Sequence, residues 1–193
     1  RVAQLPMPVL MPSKRIAISL TRLPEHIFYF LNLTKRNDTM ARWKRKELEQ
    51  AFDKYQAAAL KGAQTKDWTD WANCFTEDAS YFEHHYGRFW GRENIQKWIT
   101  ATMNKWPASD MTAFPITWYS IDKHKGWIIC EVMNRMADLG DGKIYQEPNI
   151  TILHYAGNGL FKYEEDAYNP HNMGVTIGAW MEAKKKLEGD TAK

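Results

Sequence analysis

Hydrophobic positions change period along this chain, and the change separates a run of helices from a run of strands. From Trp43 the spacing is helical: Leu48, Phe52, Tyr55 and Ala59 recur at intervals of four, three and four, with Gly62 as the expected stop. Asp67-Trp68-Thr69-Asp70 reads as a variant capping box, and Trp68, Trp71, Ala72 and Phe75 share one face of a second short helix. A strand with its turn, Ala79 to Phe89, leads through Gly91 into a third helix. Its apolar stripe is Ile95, Trp98, Ile99 and Thr102 or Met103, and Pro107 stops it.

Beyond Pro107 the pattern becomes that of strands. Thr112–Ile121, Trp127–Met136, Lys143–Tyr155 and Leu160–Tyr168 are separated by His124-Lys125-Gly126, Gly140-Asp141-Gly142 and Gly157-Asn158-Gly159. Gly-containing turns between β-rich runs predict an antiparallel meander. The preceding helices can cover only one end of a strongly curved sheet, so an α+β domain with a concavity is expected. A final helix over about Val175–Leu187 ends in Lys184-Lys185-Lys186, cations that suit a helix C-terminus. The expected domain runs over 40–172, with 173–193 as C-terminal helix and tail. Residues 1–39 carry Pro6, Pro8, Pro12 and Pro24 and hold no period, which predicts a disordered N-terminal extension. That segment is acid-poor up to Glu25, so an organelle-targeting peptide is the alternative to an extension ahead of a start at Met40.

Composition narrows the class. A chain of 193 residues, 44% hydrophobic, suits one well-buried core, and nine Trp imply large flat side chains lining a core or a cavity. The formal charge of +3 resides in the first 39 residues, which hold six basic and two acidic side chains, leaving 20 basic against 21 acidic beyond them. A near-neutral domain lacks the basic footprint that nucleic acid requires, so no nucleic-acid partner is expected. Arg42, Lys44, Arg45 and Lys46 read as the solvated face of the first helix. Cys74 and Cys130 stand apart among apolar neighbours, as reduced, buried, cytoplasmic cysteines do. The longest apolar run, Ile27 to Leu31, falls far short of the roughly 18 residues of a membrane span, and no membrane partner is expected.

Candidate chemistry gathers on the strands. In Glu83-His84-His85 alternation turns the two histidines to opposite faces, so they cannot share a metal, and no other metal-ligand spacing occurs. One histidine faces inward, where it is either a general base at the mouth of an aromatic pocket or a hydrogen-bonded core residue. Glu164 and Asp166 share one face of the last strand and Glu165 takes the other; an inward set would have a raised pKa or a specific partner. Glu147, Asn149 and Thr151 share a face of the preceding strand, and polar groups at period two suit a lined cavity. Glu131 and Arg135 fall on one face, where a charge pair across neighbouring strands is expected. The Gly turns are hairpins and not phosphate loops, so no nucleotide and no cofactor is expected.

The stretch from Trp71 through Phe75-Thr-Glu-Asp-Ala-Ser-Tyr81-Phe-Glu-His84-His-Tyr-Gly87-Arg-Phe-Trp-Gly91-Arg-Glu-Asn-Ile95, with this element order, resembles the SnoaL-like polyketide cyclases of the NTF2-like superfamily over Arg42 to Pro170. The resemblance implies an NTF2-like cone, a cystatin-like α+β roll with three N-terminal helices packed on a mostly antiparallel sheet. Ketosteroid isomerases of that superfamily carry their base one step after a Glu in the corresponding strand, which selects His84 as the inward histidine. Tyr55 matches their helical Tyr, while the position of their protonated acid falls near Thr151, which supplies no such donor. Polyketide cyclases and scytalone dehydratase-like members use His and Asp groups, matching His84 with Asp166 or Glu164. Arg135 with Asp166 is similar to the Asp-Arg-Asp set of limonene epoxide hydrolase-like members.

The implied function is cofactor-independent acid/base chemistry on a hydrophobic carbonyl-type substrate: cyclisation, isomerisation or dehydration. His84, Asp166, Glu164 and Tyr55 are the implied catalytic groups, and Asn149, Thr151, Trp71, Tyr86, Trp98 and Arg135 the implied substrate contacts. The alternative is a non-catalytic ligand-binding or dimeric scaffold module. A homodimer through the outer sheet face is implied in either case.

Overall fold

A computed structural model describes residues 41–191; the predicted extension over 1–39 lies outside the described residues. The element order is α1 (Arg45–Thr65), α2 (Thr69–Ala72), β1 (Phe75–Glu83), β2 (Gly87–Trp90), α3 (Arg92–Met103), a 3-10 turn (Ala108–Asp110), β3 (Met111–Ala113), β4 (Ile116–Asp122), β5 (Trp127–Met136), β6 (Gln146–Gly157), β7 (Leu160–Ala167) and α4 (Pro170–Thr191).

The predicted stripe of α1 is buried as expected: Leu48, Phe52, Tyr55 and Ala59 all enter the core. Gly62 does not stop this helix, which runs three residues further and ends where Lys66 adopts a left-handed φ of 64° and its N–H bonds to the Gly62 carbonyl at 2.8 Å. The glycine serves packing instead. A Cβ at position 62 would lie 2.7 Å from the Trp68 ring, so only hydrogen there lets the indole settle on the helix. The second helix is a single turn, and its first N–H, that of Thr69, is met by the side chain of Asp67, whose Oδ1 accepts at 3.0 Å.

One mixed sheet holds the strands in the order β2-β1-β7-β6-β5-β3, with β4 also pairing with β5. Every pairing is antiparallel except β1 with β7. The expected meander exists from β4 to β7, but the strand predicted over Thr112–Ile121 is broken at Phe114-Pro115, since proline has no N–H to give a ladder. The Pro115 carbonyl still accepts from Met133 at 2.9 Å. Register shifts in β1, β4 and β7 pairings mark bulges, which bend the sheet. Four helices on this curved, open sheet make the α+β cone.

The last helix starts at Pro170, five residues before the predicted Val175. Asn169 Oδ1 accepts from the N–H of His171 at 3.0 Å, and proline at the first helical position lacks the N–H that would go unbonded there. Trp180 is fully buried on Met111 and Met136 and donates to the Ala137 carbonyl at 2.8 Å, which docks α4 against β3 and the end of β5.

Candidate functional site

Between the concave face of the sheet and α1, α3 and α4 lies a cavity of about 610 Å³. Its polar floor is built by three adjacent strands. Parallel register places Tyr81 of β1 beside Glu164 of β7 and Glu83 beside Asp166, and antiparallel register places Thr151 of β6 on the other side of Asp166. Alternation then turns Tyr81, Glu83, Asn149, Thr151, Glu164 and Asp166 into one cavity.

Most of these groups fall into two hydrogen-bonded sets, one on Glu164 and one on Asp166. Tyr55, reaching across from α1, donates its hydroxyl to Glu164 Oε1 at 2.6 Å. Tyr81 donates to Asp166 Oδ2, and Thr151 donates to Asp166 Oδ1. Asn149 Nδ2 donates to Thr151 at 3.2 Å, leaving Asn149 Oδ1 buried without a partner. The hydroxyl proton of Tyr81 is spent on Asp166, and Glu164 Oε2 is likewise buried with no partner.

Burial, then the charge of Asp166, holds the Glu164 carboxyl well above the usual carboxylate range. Burial also raises Asp166, against the lowering effect of hydroxyl donors from Thr151 and Tyr81. Two hydroxyls on Asp166 against one on Glu164 favour charge on Asp166 over charge on Glu164. Tyr55 occupies Oε1, which leaves Oε2 as the oxygen without a donor. Tyr55 and Tyr81 are themselves pushed far above the ordinary phenol value, chiefly by burial, so both stay hydroxyl donors. The floor therefore pairs two carboxyl groups of unequal surroundings, under walls that include Trp68, Trp71, Trp98, Ile99 and Phe114.

Eight of the predicted residues meet here: Tyr55, Glu164, Asp166, Asn149, Thr151, Trp71, Tyr86 and Trp98 all line the cavity. Two do not. His84 lies on the outer face, half-exposed, with Nε2 2.8 Å from Glu165 Oε1 and its ring 4.3 Å from that of Phe82. The inward orientation expected for it belongs to Glu83, because Ala79, Tyr81 and Glu83 set the buried phase of β1 and the next residue must point away. Arg135 is also outside the cavity, bonding Gln146 at 2.8 Å across β5 and β6, while Glu131 accepts from Thr117 at 2.6 Å; the expected Glu131–Arg135 pair is not formed. Its neighbour Asn134 lines the cavity instead. Tyr81, Glu83 and Tyr168 are among the lining groups that sequence reasoning missed, and for the first two the period-two run Ala79, Tyr81, Glu83 was the available signal.

The outer face carries a ladder of its own. Arg88 stacks over Phe82 at 3.8 Å, His84 and Tyr163 both bond Glu165, and Tyr163, His154 and Trp127 follow with ring centroids 4.5 and 4.6 Å apart. Cys74 and Cys130 are free and buried. Among the described residues no three His, Cys, Asp or Glu side chains converge to hold a metal ion, and no helix is long and apolar enough to cross a membrane.

A profile of the SnoaL-like domain matches residues 44–143, just over half of the 193-residue chain. No curated protein matches the chain significantly. Among solved structures, a putative isomerase from Bacillus subtilis is similar at a TM-score of 0.54 and 17% identity, covering 69% of this chain and 94% of that one. An LEH-like epoxide hydrolase from M. tuberculosis is similar at 0.52 and 13% identity, covering 72% and 94%. An NTF2-like protein from Anabaena variabilis is similar at 0.51 and 15% identity, covering 67% and 95%. At such identities the likeness is one of fold.

Proposed function

Because the chain belongs to the SnoaL-like domain family, we propose that its cavity takes a hydrophobic carbonyl compound and carries out acid/base chemistry on it without a cofactor. The observation that carries this reading is the Glu164–Asp166 couple, two buried carboxyl groups on one strand face, one held by a single hydroxyl and the other by two. Asp166 accepts the proton next to the carbonyl as that C–H bond breaks, and the electron pair moves onto the carbonyl oxygen. Glu164 supplies the Oε2 proton to this oxygen, giving an enol. Return of a proton at another carbon makes the step an isomerisation. Attack of the enol carbon on a second carbonyl makes it a cyclisation, and loss of a neighbouring hydroxyl as water makes it a dehydration.

Tyr55 acts as a positioning residue, since its hydroxyl holds Oε1 and leaves Oε2 as the oxygen without a donor. Asn149 and Thr151 order the charged partner, and Trp71, Tyr86 and Trp98 contact the substrate body. His84 and Arg135 receive no role at this floor.

Deuterium wash-in from heavy water into an aromatic ketone, followed by mass spectrometry, tests the proton step without knowledge of the natural substrate. Asp166→Asn is expected to lower exchange by about 10²–10⁴-fold and Glu164→Gln by about 10²–10³-fold. His84→Gln is expected to exchange at the parent rate. Equal exchange in parent and Asp166→Asn would sink the proposal.

A ligand carrier is the second reading, favoured by one observation: both oxygens of Asp166 already receive hydroxyl protons. Retained ligand in native mass spectrometry without any exchange is its signature. In either case we propose a cytoplasmic homodimer joined through the outer sheet face, for which light scattering should give the mass of two chains.

A further inference from the structure

Acid/base work by Glu164 and Asp166 leaves one cavity carboxylate unused. Glu83 ends β1, is 3% exposed and lines the cavity. Its Oε2 accepts the backbone N–H groups of His85, at 2.7 Å, and of Tyr86, so the turn after β1 clamps that oxygen. Its Oε1 is buried and meets no donor in hydrogen-bonding geometry. Burial first, then hydrogen-bonding proximity to Glu83, pushes the Tyr168 hydroxyl up, although this neutral group does not meet Oε1 in hydrogen-bonding geometry. No described Lys, Arg or His forms an ion pair with Glu83.

A buried carboxylate oxygen left unmatched is costly, and the group that relieves it best is a cationic donor. Aromatic rings stand close by. Tyr86 follows the clamp and lies 6.0 Å from Trp98, whose ring is 4.8 Å from Tyr81 and whose Nε1 is also buried without a partner. Ring faces beside a carboxylate favour an ammonium group over a neutral donor. Among the cavity-lining residues Lys105 is the single cationic side chain, against the carboxylates of Glu83 and Asp166. An anionic ligand would meet this field unfavourably.

We propose that Glu83 Oε1, with the rings of Tyr86 and Trp98, forms an ammonium subsite, and that the cavity's ligand carries a protonated amine on its hydrophobic body. This rests on the small-molecule reading of the cavity and not on turnover by Glu164 and Asp166. The subsite anchors one end of the ligand and leaves the other to the floor.

Isothermal titration at pH 7 with 2-naphthylethylamine, 2-naphthylethanol and 2-naphthylacetate tests it, because the three share a body and differ in charge. The amine should bind about tenfold more tightly than the alcohol, the ratio that ~1.4 kcal/mol corresponds to, and the acid should bind least. Glu83→Gln keeps the acceptor for the two turn N–H groups and should equalise amine and alcohol while leaving the alcohol's Kd within about twofold. Tyr86→Leu, at a half-exposed ring, reads the same subsite without touching the buried carboxylate and should weaken the amine more than the alcohol. An amine that binds no better than the alcohol, or a preference that survives Glu83→Gln and Tyr86→Leu alike, overturns the subsite alone. Failure of all three probes to bind overturns the cavity reading beneath it, and loss of deuterium exchange bears only on the catalytic one.

Discussion

Gly62→Ala and Gly174→Ala make the same chemical change inside two helices of this protein and should move its stability in opposite directions. Alanine in place of an interior helical glycine is worth about 0.5–1 kcal/mol through reduced freedom of the unfolded chain and better helix propensity. At Gly174, on the exposed side of α4, a Cβ would meet nothing within 4 Å, so that gain should appear undiminished. At Gly62 the same Cβ would lie 2.7, 2.9 and 3.1 Å from three ring carbons of Trp68, well inside the roughly 3.5–4.0 Å at which carbon atoms rest. The indole has little room to retreat. It is 3% exposed, its Nε1 donates to Asn104 at 3.2 Å, and it packs edge-on to Trp71 with centroids 6.1 Å apart. Overpacking of this kind costs about 1–3 kcal/mol. Net destabilisation of Gly62→Ala is then about 0–2 kcal/mol, and the two variants should differ by about 1–3 kcal/mol. Urea unfolding followed by far-ultraviolet circular dichroism measures both, and for a domain of this size each kcal/mol corresponds to about 2–4 °C in Tm. Because Trp68 also lines the cavity, Gly62→Ala should alter ligand affinity where Gly174→Ala does not. Stabilisation of the two variants by the same amount would refute the packing role of Gly62.

Three further outcomes follow from the same contacts. Glu164 holds its proton in the fold by burial, whereas the unfolded chain releases it near ~4.3. The folded state therefore binds more protons, and this group's stabilisation, full below that pH, is lost as pH rises towards its folded pKa. Glu164→Gln, neutral throughout, should flatten that part of the Tm-against-pH curve and melt higher than the parent in alkaline buffer; a parallel curve contradicts the assignment. Phe161→Ala, at a fully buried ring packed on Tyr55 and Tyr155, should cost about 3–5 kcal/mol in urea unfolding, and a loss under 1 kcal/mol would show that the site collapses or is not core. Trp180→Ala removes the ring and the bond that dock α4, so limited proteolysis should cut α4 faster while the strands persist; unchanged cleavage would mean that α4 is held by other contacts.

Repeating patterns carried much of this protein in its sequence. The helical stripe of Leu48, Phe52, Tyr55 and Ala59, the Gly turns between strands and the alternation of Glu164, Glu165 and Asp166 are local consequences of 3.6-residue and two-residue periods, and each is where it was expected. Those periods, with the SnoaL-like stretch, were enough to bring together Tyr55, Asn149, Thr151, Glu164 and Asp166 before any coordinates. Period two leaves the phase of a strand open, however, and in β1 either His84 or Glu83 could have faced inward. Parallel pairing with β7 decided it, because a register with Asp166 is a long-range contact that no local pattern encodes. Likewise Gly62 looked like a helix stop until Trp68 was placed against it, and Arg135 looked available until Gln146 stood across from it. Which oxygen of Glu164 receives a hydroxyl, and why Glu83 Oε1 receives none, are matters of burial and of which hydroxyl reaches which carboxylate. Those depend on distances between strands and helices far apart in the chain, and tertiary structure alone sets them.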